Sequence, residues 1–310
     1  AGMIMAEKKI NPHDAQLQAR LEQFIAEAGS QTKAAAQIGY STATLSTYLK
    51  GKYEGDVKAV EAKLKEFFDV RDAADAYRAD APDYVPTSIS EQVYQSIRLC
   101  HLKGGLAIEC GDAGIGKTKA AQKYAADYPA STVYVTANPC VSGVTAFLKL
   151  LCRELQLPTG RKDDMWFALD EQFRGGKKVV VVDEAQNLPI KTIEALRALF
   201  DSNPSLGIIF VGNLETVTNC YGRGKAAFAQ LRNRNKRPKI RHTSQIKKDD
   251  VRLLIPALAG HDREVSFLHS IAQTEQGVRG MMNLYGNALD NGNTTYDGLL
   301  AAARDMQTIS

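Results

Sequence analysis

No apolar run in this 310-residue chain approaches the roughly 20 residues that a membrane helix needs, so no membrane-spanning segment is expected. The opening residues lack an apolar core segment, and no signal peptide is expected either. Ala1-Gly2 ahead of Met3 reads as a cloning remnant and is left out of fold reasoning. Cysteine is scarce. Cys100, Cys110, Cys140, Cys152 and Cys220 form neither C-x-x-C pairs nor a framework spacing. That argues against a metal centre or disulfide scaffold and for reduced, mostly buried thiols in a cytosolic protein. A large excess of one charge is also missing: the net charge is +4, so the distribution of charge carries more than its sum. The 44% hydrophobic and 24% charged residues are those of an ordinary soluble globular protein, with length for about two domains.

What is present is organised around Leu106 to Lys119. Gly111, Gly116, Lys117 and Thr118 stand in the spacing G-x-x-x-x-G-K-[ST] of a phosphate-binding loop. Glycines let the backbone of Gly111, Asp112, Ala113, Gly114, Ile115 and Gly116 curl, so that N–H groups point inward at phosphate oxygens. Lys117 would reach the β- and γ-phosphates of ATP, and the Thr118 hydroxyl would hold Mg²⁺, with Lys119 in the same turn. The context agrees: Leu106 to Cys110 reads as a short buried strand and Thr118 to Asp127 as a helix whose positive end faces the phosphates.

Ahead of this loop, Leu17, Leu21, Phe24 and Ile25 recur at helical spacing over Asp14 to Ala28. Two short helices follow, near Thr32 to Ile38 and Thr42 to Lys50. Gly39 supplies a turn of positive φ between them, and Ser41 is placed to cap the second. Ala35, Ile38, Leu45 and Leu49 would share a core. This is the layout of a helix-turn-helix and resembles the small repressor-type DNA-binding domains of phages. Thr42, Thr44, Ser46, Thr47 and Lys50 would be its exposed face. Those side chains suit phosphates more than base edges. A helical bundle that packs without touching DNA is the alternative. Val57, Val60, Leu64 and Phe67 continue as one stripe over Asp56 to Phe68. Beyond Asp69 the composition shifts through Ala, Asp and Tyr to Pro82 and Pro86, the best linker candidate.

After the phosphate loop, Thr132 to Thr136 reads as a strand, and a helix follows from about Gly143 to Leu155. Val179 to Val182 reads as the next strand and ends in Asp183-Glu184. An apolar strand ending in Asp is the second signature of these nucleotide hydrolases. Asp183 would hold Mg²⁺ at the strand's C-terminal end, and Glu184 would act as general base on the attacking water. A further strand, Leu206 to Val211, runs into Gly212-Asn213, which puts Asn213 where it could orient that water. Lys239 to Thr243 would be the fifth strand. With an extra strand between the phosphate loop and the acidic strand, the chain from about Thr87 onward resembles the AAA+ ATPases.

That resemblance implies an α/β P-loop module with a parallel sheet in the order 5-1-4-3-2, helices on both faces and a C-terminal helical lid. It also implies an arginine that completes a neighbouring subunit's site. In Phe228-Ala-Gln-Leu-Arg-Asn-Arg234, Arg234 is the first choice and Arg232 the second, with a solvated or nucleic-acid-facing charge as the alternative. Arg279 stands where the family often places a second nucleotide-sensing arginine, although the usual spacing is not well kept. Two basic loops carry Arg161-Lys162 and Arg223 with Lys225. Each is either a solvated face or a grip on DNA phosphates. Apart from Tyr221 no aromatic is interleaved, which favours sequence-independent duplex contact over stacking on single strands.

The order of parts is a helix-turn-helix (1–78), a linker (79–90), an AAA+ core (91–247) and a helical lid (248–310). As a whole it resembles the ATPases that capture target DNA for a phage transposase. The resemblance implies an ATP-dependent homo-oligomeric helical filament on double-stranded DNA, stimulation of a transposase, and action in the bacterial host cytoplasm. A helicase-loader-type ATPase and an ATP-switched transcription regulator remain as alternatives.

Overall fold

The computed structural model describes residues 13–79, 84–221 and 238–307. Contacts divide the chain into two compact units, Ala1–Pro82 and Asp83–Ser310. In the first, α1 (Ala15–Ala28) starts where the Asp14 carboxylate accepts from the Gln16 and Leu17 N–H groups, and it ends at left-handed Gly29. Ser30 caps α2 (Gln31–Ile38), Gly39 turns the chain at φ 79°, and Ser41 caps α3 (Thr42–Leu49). The last helix of the unit is α4 (Val57–Ala79). It extends past Phe68 into the stretch whose composition suggests a linker, because the alanines there are strong helix formers.

Leu21, Ala34, Leu45, Tyr48 and Leu64 are completely buried in this unit. Two sequence assignments shift by one residue. Tyr48 takes the place expected of Leu49, keeping its hydroxyl satisfied by donating to Glu61 Oε1, and Phe68 is the deeper of the two phenylalanines.

The second unit opens with α5 (Ser88–Lys103), capped by Thr87, followed by β1 (Gly105–Gly111), α6 (Lys117–Asp127) and β2 (Thr132–Thr136). Then come α7 (Val144–Glu154), α8 (Lys162–Phe173), β3 (Val179–Asp183), α9 (Ile190–Ser202), β4 (Gly207–Gly212), α10 (Glu215–Tyr221) and β5 (Lys239–Arg241). The chain closes with α11 (Lys248–Leu254), α12 (Asp262–Ala272), α13 (Gly277–Asp290) and α14 (Tyr296–Asp305). The sheet order is β2-β3-β4-β1-β5 with every pairing parallel, the order the resemblance implies.

Strand alternation sorts the core into two layers. Leu106, Ile108, Val180, Val182, Ile208 and Phe210 face α7, α8 and α9. Val179, Val181, Ile209 and Val211 face the other way, in one cluster with Ile97 and Ala120 of α5 and α6 and with Val251, Leu268, Met281 and Leu299 of the C-terminal helices. Both faces of β3 and β4 are covered, which is why they read as unbroken apolar runs.

β5 is shorter than Lys239 to Thr243. Past Arg241 its partner β1 has ended, and the Thr243 N–H donates to the Asp112 carboxylate at 2.7 Å while a 3₁₀ turn begins. Buried Glu109 anchors this edge strand through the Arg241 guanidinium at 3.1 Å. No described helix is long and apolar enough to cross a membrane.

Candidate nucleotide site

The C-terminal ends of β1, β3 and β4 lie level with one another, since Cys110 pairs with Gly212 and Val182 with Phe210. Open parallel sheets gather ligands at this edge. The loop from Gly111 to Gly116 leaves β1 there and enters α6, with Gly114 at φ 69° and Gly116 at φ 97°. No side chain caps α6, so its first N–H groups remain free to meet an anion.

Gly111 has a second reason to be glycine besides its φ of 153°. A Cβ there would fall 1.9 Å from the Arg241 carbonyl oxygen, so the residue is required by the approach of β5. Asp112 and Ile115 also serve the loop's own structure. The Asp112 carboxylate accepts from Thr243 N, and Ile115 is buried in the core. Lys119 is exposed, and Thr118 is half-buried beside it.

The Lys117 ammonium folds back over the loop, donating to the Gly111 and Asp112 carbonyl oxygens at 3.0 and 2.5 Å. Burial holds it below the usual lysine range, opposed by the nearby Asp183 and Glu184 carboxylates. Asp183 is buried at the tip of β3. One oxygen accepts from the Tyr134 hydroxyl at 2.8 Å and the other from the Glu184 N–H at 2.9 Å. Burial in turn pushes the Tyr134 phenol up to about 12.

Glu184 is exposed and holds a left-handed backbone, φ 52° and ψ 37°. Its carboxylate accepts from the Gln186 side-chain amide, and the Gln186 oxygen accepts from Asn213 N at 3.2 Å. Asn213 Oδ1 accepts from Glu215 N at 2.9 Å, which opens α10. The first turn of α13 lies on the phosphate loop. Arg279 N donates to the Gly114 carbonyl at 3.2 Å, and a Cβ on Gly277 would meet the Ala113 carbonyl at 2.7 Å. Arg279 itself is exposed at that junction.

The structure therefore brings Lys117, Asp183, Glu184, Asn213 and Arg279 to one edge. A hydroxyl at Thr118 and a carboxylate at Asp183 are hard oxygen donors. Among the described residues no three acidic, His or Cys groups converge to hold a metal ion. Such a donor set suits an ion like Mg²⁺ that brings most of its ligands as water and phosphate oxygen.

Arg223, Lys225, Arg232 and Arg234 lie outside the described residues. Arg161 and Lys162 are exposed where α8 begins, Arg161 within 3.8 Å of Asp163. On α3 Thr42 and Thr47 are exposed, as is Lys50 at its C-cap, but Thr44 and Ser46 are half-buried. The Thr44 hydroxyl is paired with Ser41, and Thr47 donates back to the Ala43 and Thr44 carbonyls. That face is therefore narrower than its residue types suggest. Two residues of the site escaped the sequence reading: Tyr134, hidden in strand alternation, and Gln186, one position beyond the Asp-Glu-Ala run.

An AAA domain family model matches residues 101–218. The chain is 31% identical over 250 residues to the ATP-dependent target DNA activator B of Escherichia phage Mu, covering 79% of this chain and 78% of that protein. The protein of the same name from Escherichia phage D108 matches to the same extent. The Mu-like prophage FluMu DNA transposition protein B of Haemophilus influenzae is 27% identical over 271 residues, covering 86% of this chain and 94% of that one.

Proposed function

This chain belongs to the family of the ATP-dependent target DNA activator B of phage Mu and is an AAA-type ATPase, and from that premise we propose how its residues act. It binds duplex DNA largely without regard to sequence, oligomerises on it as an ATP-dependent helical filament, and delivers it to a transposase in the bacterial host cytoplasm. The observation that carries the proposal is the Lys117 ammonium, seated in the phosphate loop and facing the Asp183 and Glu184 carboxylates.

In this reading Lys117 exchanges the Gly111 and Asp112 carbonyls for β- and γ-phosphate oxygens when ATP enters, and the free N–H groups of α6 take the remaining phosphate charge. Thr118 and Asp183 hold Mg²⁺, which when bound neutralises phosphate charge. Tyr134 keeps Asp183 oriented. Glu184 accepts a proton from a water held by Asn213, the water oxygen bonds to the γ-phosphorus, and the bond to the β-phosphate oxygen breaks to leave ADP.

Arg234, or Arg232, supplies positive charge to a neighbour's γ-phosphate, and Arg279 senses nucleotide from the lid formed by the C-terminal helices. Arg161, Lys162, Arg223 and Lys225 grip the DNA backbone. The helix-turn-helix adds a phosphate-contacting face at Thr42, Thr47 and Lys50, with Thr44 at its margin where its hydroxyl is held by Ser41.

The test is duplex binding and ATP hydrolysis by Lys117→Ala, with electron microscopy of the protein on random duplex with and without ATP. Lys117→Ala is expected to lose ATP binding and, with it, tight DNA binding. Filaments are expected only with ATP. Normal duplex binding by Lys117→Ala would refute ATP gating, and isolated ATP-indifferent dimers on particular sites would favour a transcription regulator.

A further inference from the structure

Gln186 sits in the short turn Ala185–Asn187 that follows β3, and it touches three elements at once. Its side-chain N–H donates to Glu184 Oε2, and its side-chain oxygen accepts from Asn213 N at 3.2 Å. Its main-chain carbonyl accepts from Asn219 Nδ2, on α10, at 2.8 Å. The slot it fills is made by a missing side chain. A Cβ on Gly212 would fall 2.4 Å from Gln186 Oε1 and 2.3 Å from Thr216 Oγ1. Thr216 is fully buried there, and its hydroxyl has no hydrogen-bond partner, so the pocket has spare polar capacity beside the glutamine.

Glu184, by contrast, is exposed on a two-carbon stem at a left-handed backbone position. A carboxylate facing water samples several rotamers unless something tethers it. Proton abstraction requires it within hydrogen-bond reach of one water.

We infer that Gln186 is a positioning residue that fixes the Glu184 carboxylate for its work on water and ties that placement to the tip of β4 and to α10. This rests on the reading of Glu184 as the general base. The Asn213 N–H holds the Gln186 oxygen while the Asn213 side-chain oxygen caps α10, so the residue read as orienting water and the carboxylate read as deprotonating it are joined through the Gln186 amide. α10 ends at Tyr221, and the sequence then enters the basic stretch beginning at Gly222.

The test uses the full-length protein with Gln186→Met, similar in length but without donor or acceptor, and Gln186→Glu, which keeps the acceptor toward Asn213 and loses the donor. Glu184→Gln and the Glu184→Gln/Gln186→Met double variant complete the cycle. Steady-state ATPase rates are compared with equilibrium binding of a fluorescent ATP analogue. Gln186→Met is expected to lower kcat about 10- to 100-fold, the range of a misplaced reacting group, with nucleotide Kd unchanged. Gln186→Glu is expected to lower kcat at least as far, because two carboxylates then face each other. In the Glu184→Gln background, Gln186→Met is expected to change the residual rate by less than about twofold, since the group it positions is already gone.

Unchanged kcat in Gln186→Met while Glu184→Gln is slow would overturn the inference alone. Equal losses from Gln186→Met in both backgrounds would overturn it too, showing a role independent of Glu184. A Glu184→Gln variant as fast as wild type would overturn the reading of Glu184 and the role of Gln186 together.

Discussion

Gly111→Ala is the smallest substitution that separates the phosphate loop from its support. The added Cβ would lie 1.9 Å from the Arg241 carbonyl oxygen, 2.7 Å from its carbon and 2.8 Å from its nitrogen. All three are backbone atoms, so no rotamer change relieves the overlap, and the Gly111–Arg241 pairing at the end of β5 must open. With it go the bond from Asp112 N to Arg241 O at 3.0 Å and the bond from Thr243 N to the Asp112 carboxylate at 2.7 Å. Two lost hydrogen bonds at about 1 kcal/mol each, plus about 1–3 kcal/mol for forcing an atom into packed space, come to roughly 3–5 kcal/mol. For a unit of this size that is a fall of about 6–20 °C in Tm. The assay is thermal unfolding followed by circular dichroism, beside Gly160→Ala as control, since a Cβ at Gly160 meets nothing within 4 Å. A Gly111→Ala protein melting within about 2 °C of wild type would refute the packing argument.

Asp250 is buried and accepts from Ser88 N, Ser88 Oγ and Lys247 N. Asp250→Ala leaves those donors unpaired and is expected to destabilise the second unit by about 2–3 kcal/mol in urea titration, whereas an exposed control such as Asp249→Ala is expected to change little. Burial raises the Tyr134 and Tyr124 phenols to about 12 from the ordinary 10.0, so the folded chain holds these protons more tightly than the unfolded chain. Their contribution to stability is complete below pH 10 and is lost between pH 10 and 12. Absorbance at the phenolate band is expected to lag behind free tyrosine across that window and to jump on unfolding, and full ionisation by pH 10.5 in the folded protein would contradict it.

How much of this was legible in the sequence depended on whether a residue's reason lay near it in the chain. The phosphate loop and β1 to β4 were readable because short apolar runs and fixed glycine spacing are local signals. Gly39 and Ser41 were readable for the same reason, as a turn and a cap. Only half of the reason for Gly111 is local: its φ of 153° belongs to the loop, but the strand that crowds it lies about 130 positions away. β5 could not be trimmed to Arg241 without knowing that Asp112 claims Thr243 N. Helical spacing alone favours Leu49 over Tyr48, because the burial of Tyr48 depends on a hydroxyl partner at Glu61. Gln186 carries no pattern of its own: its meaning comes from Gly212, Asn213 and Asn219, which only the fold brings to it.

The hydrogen bond from Arg279 N to the Gly114 carbonyl has a thermodynamic consequence. α13 shares one buried cluster with α11, α12 and α14, so a shift of these helices bears on the phosphate loop through that contact. Linkage then works in both directions. A molecule that binds one setting of the C-terminal helices more tightly than another would alter the grip on nucleotide by some factor, and nucleotide would alter the hold on that molecule by the same factor.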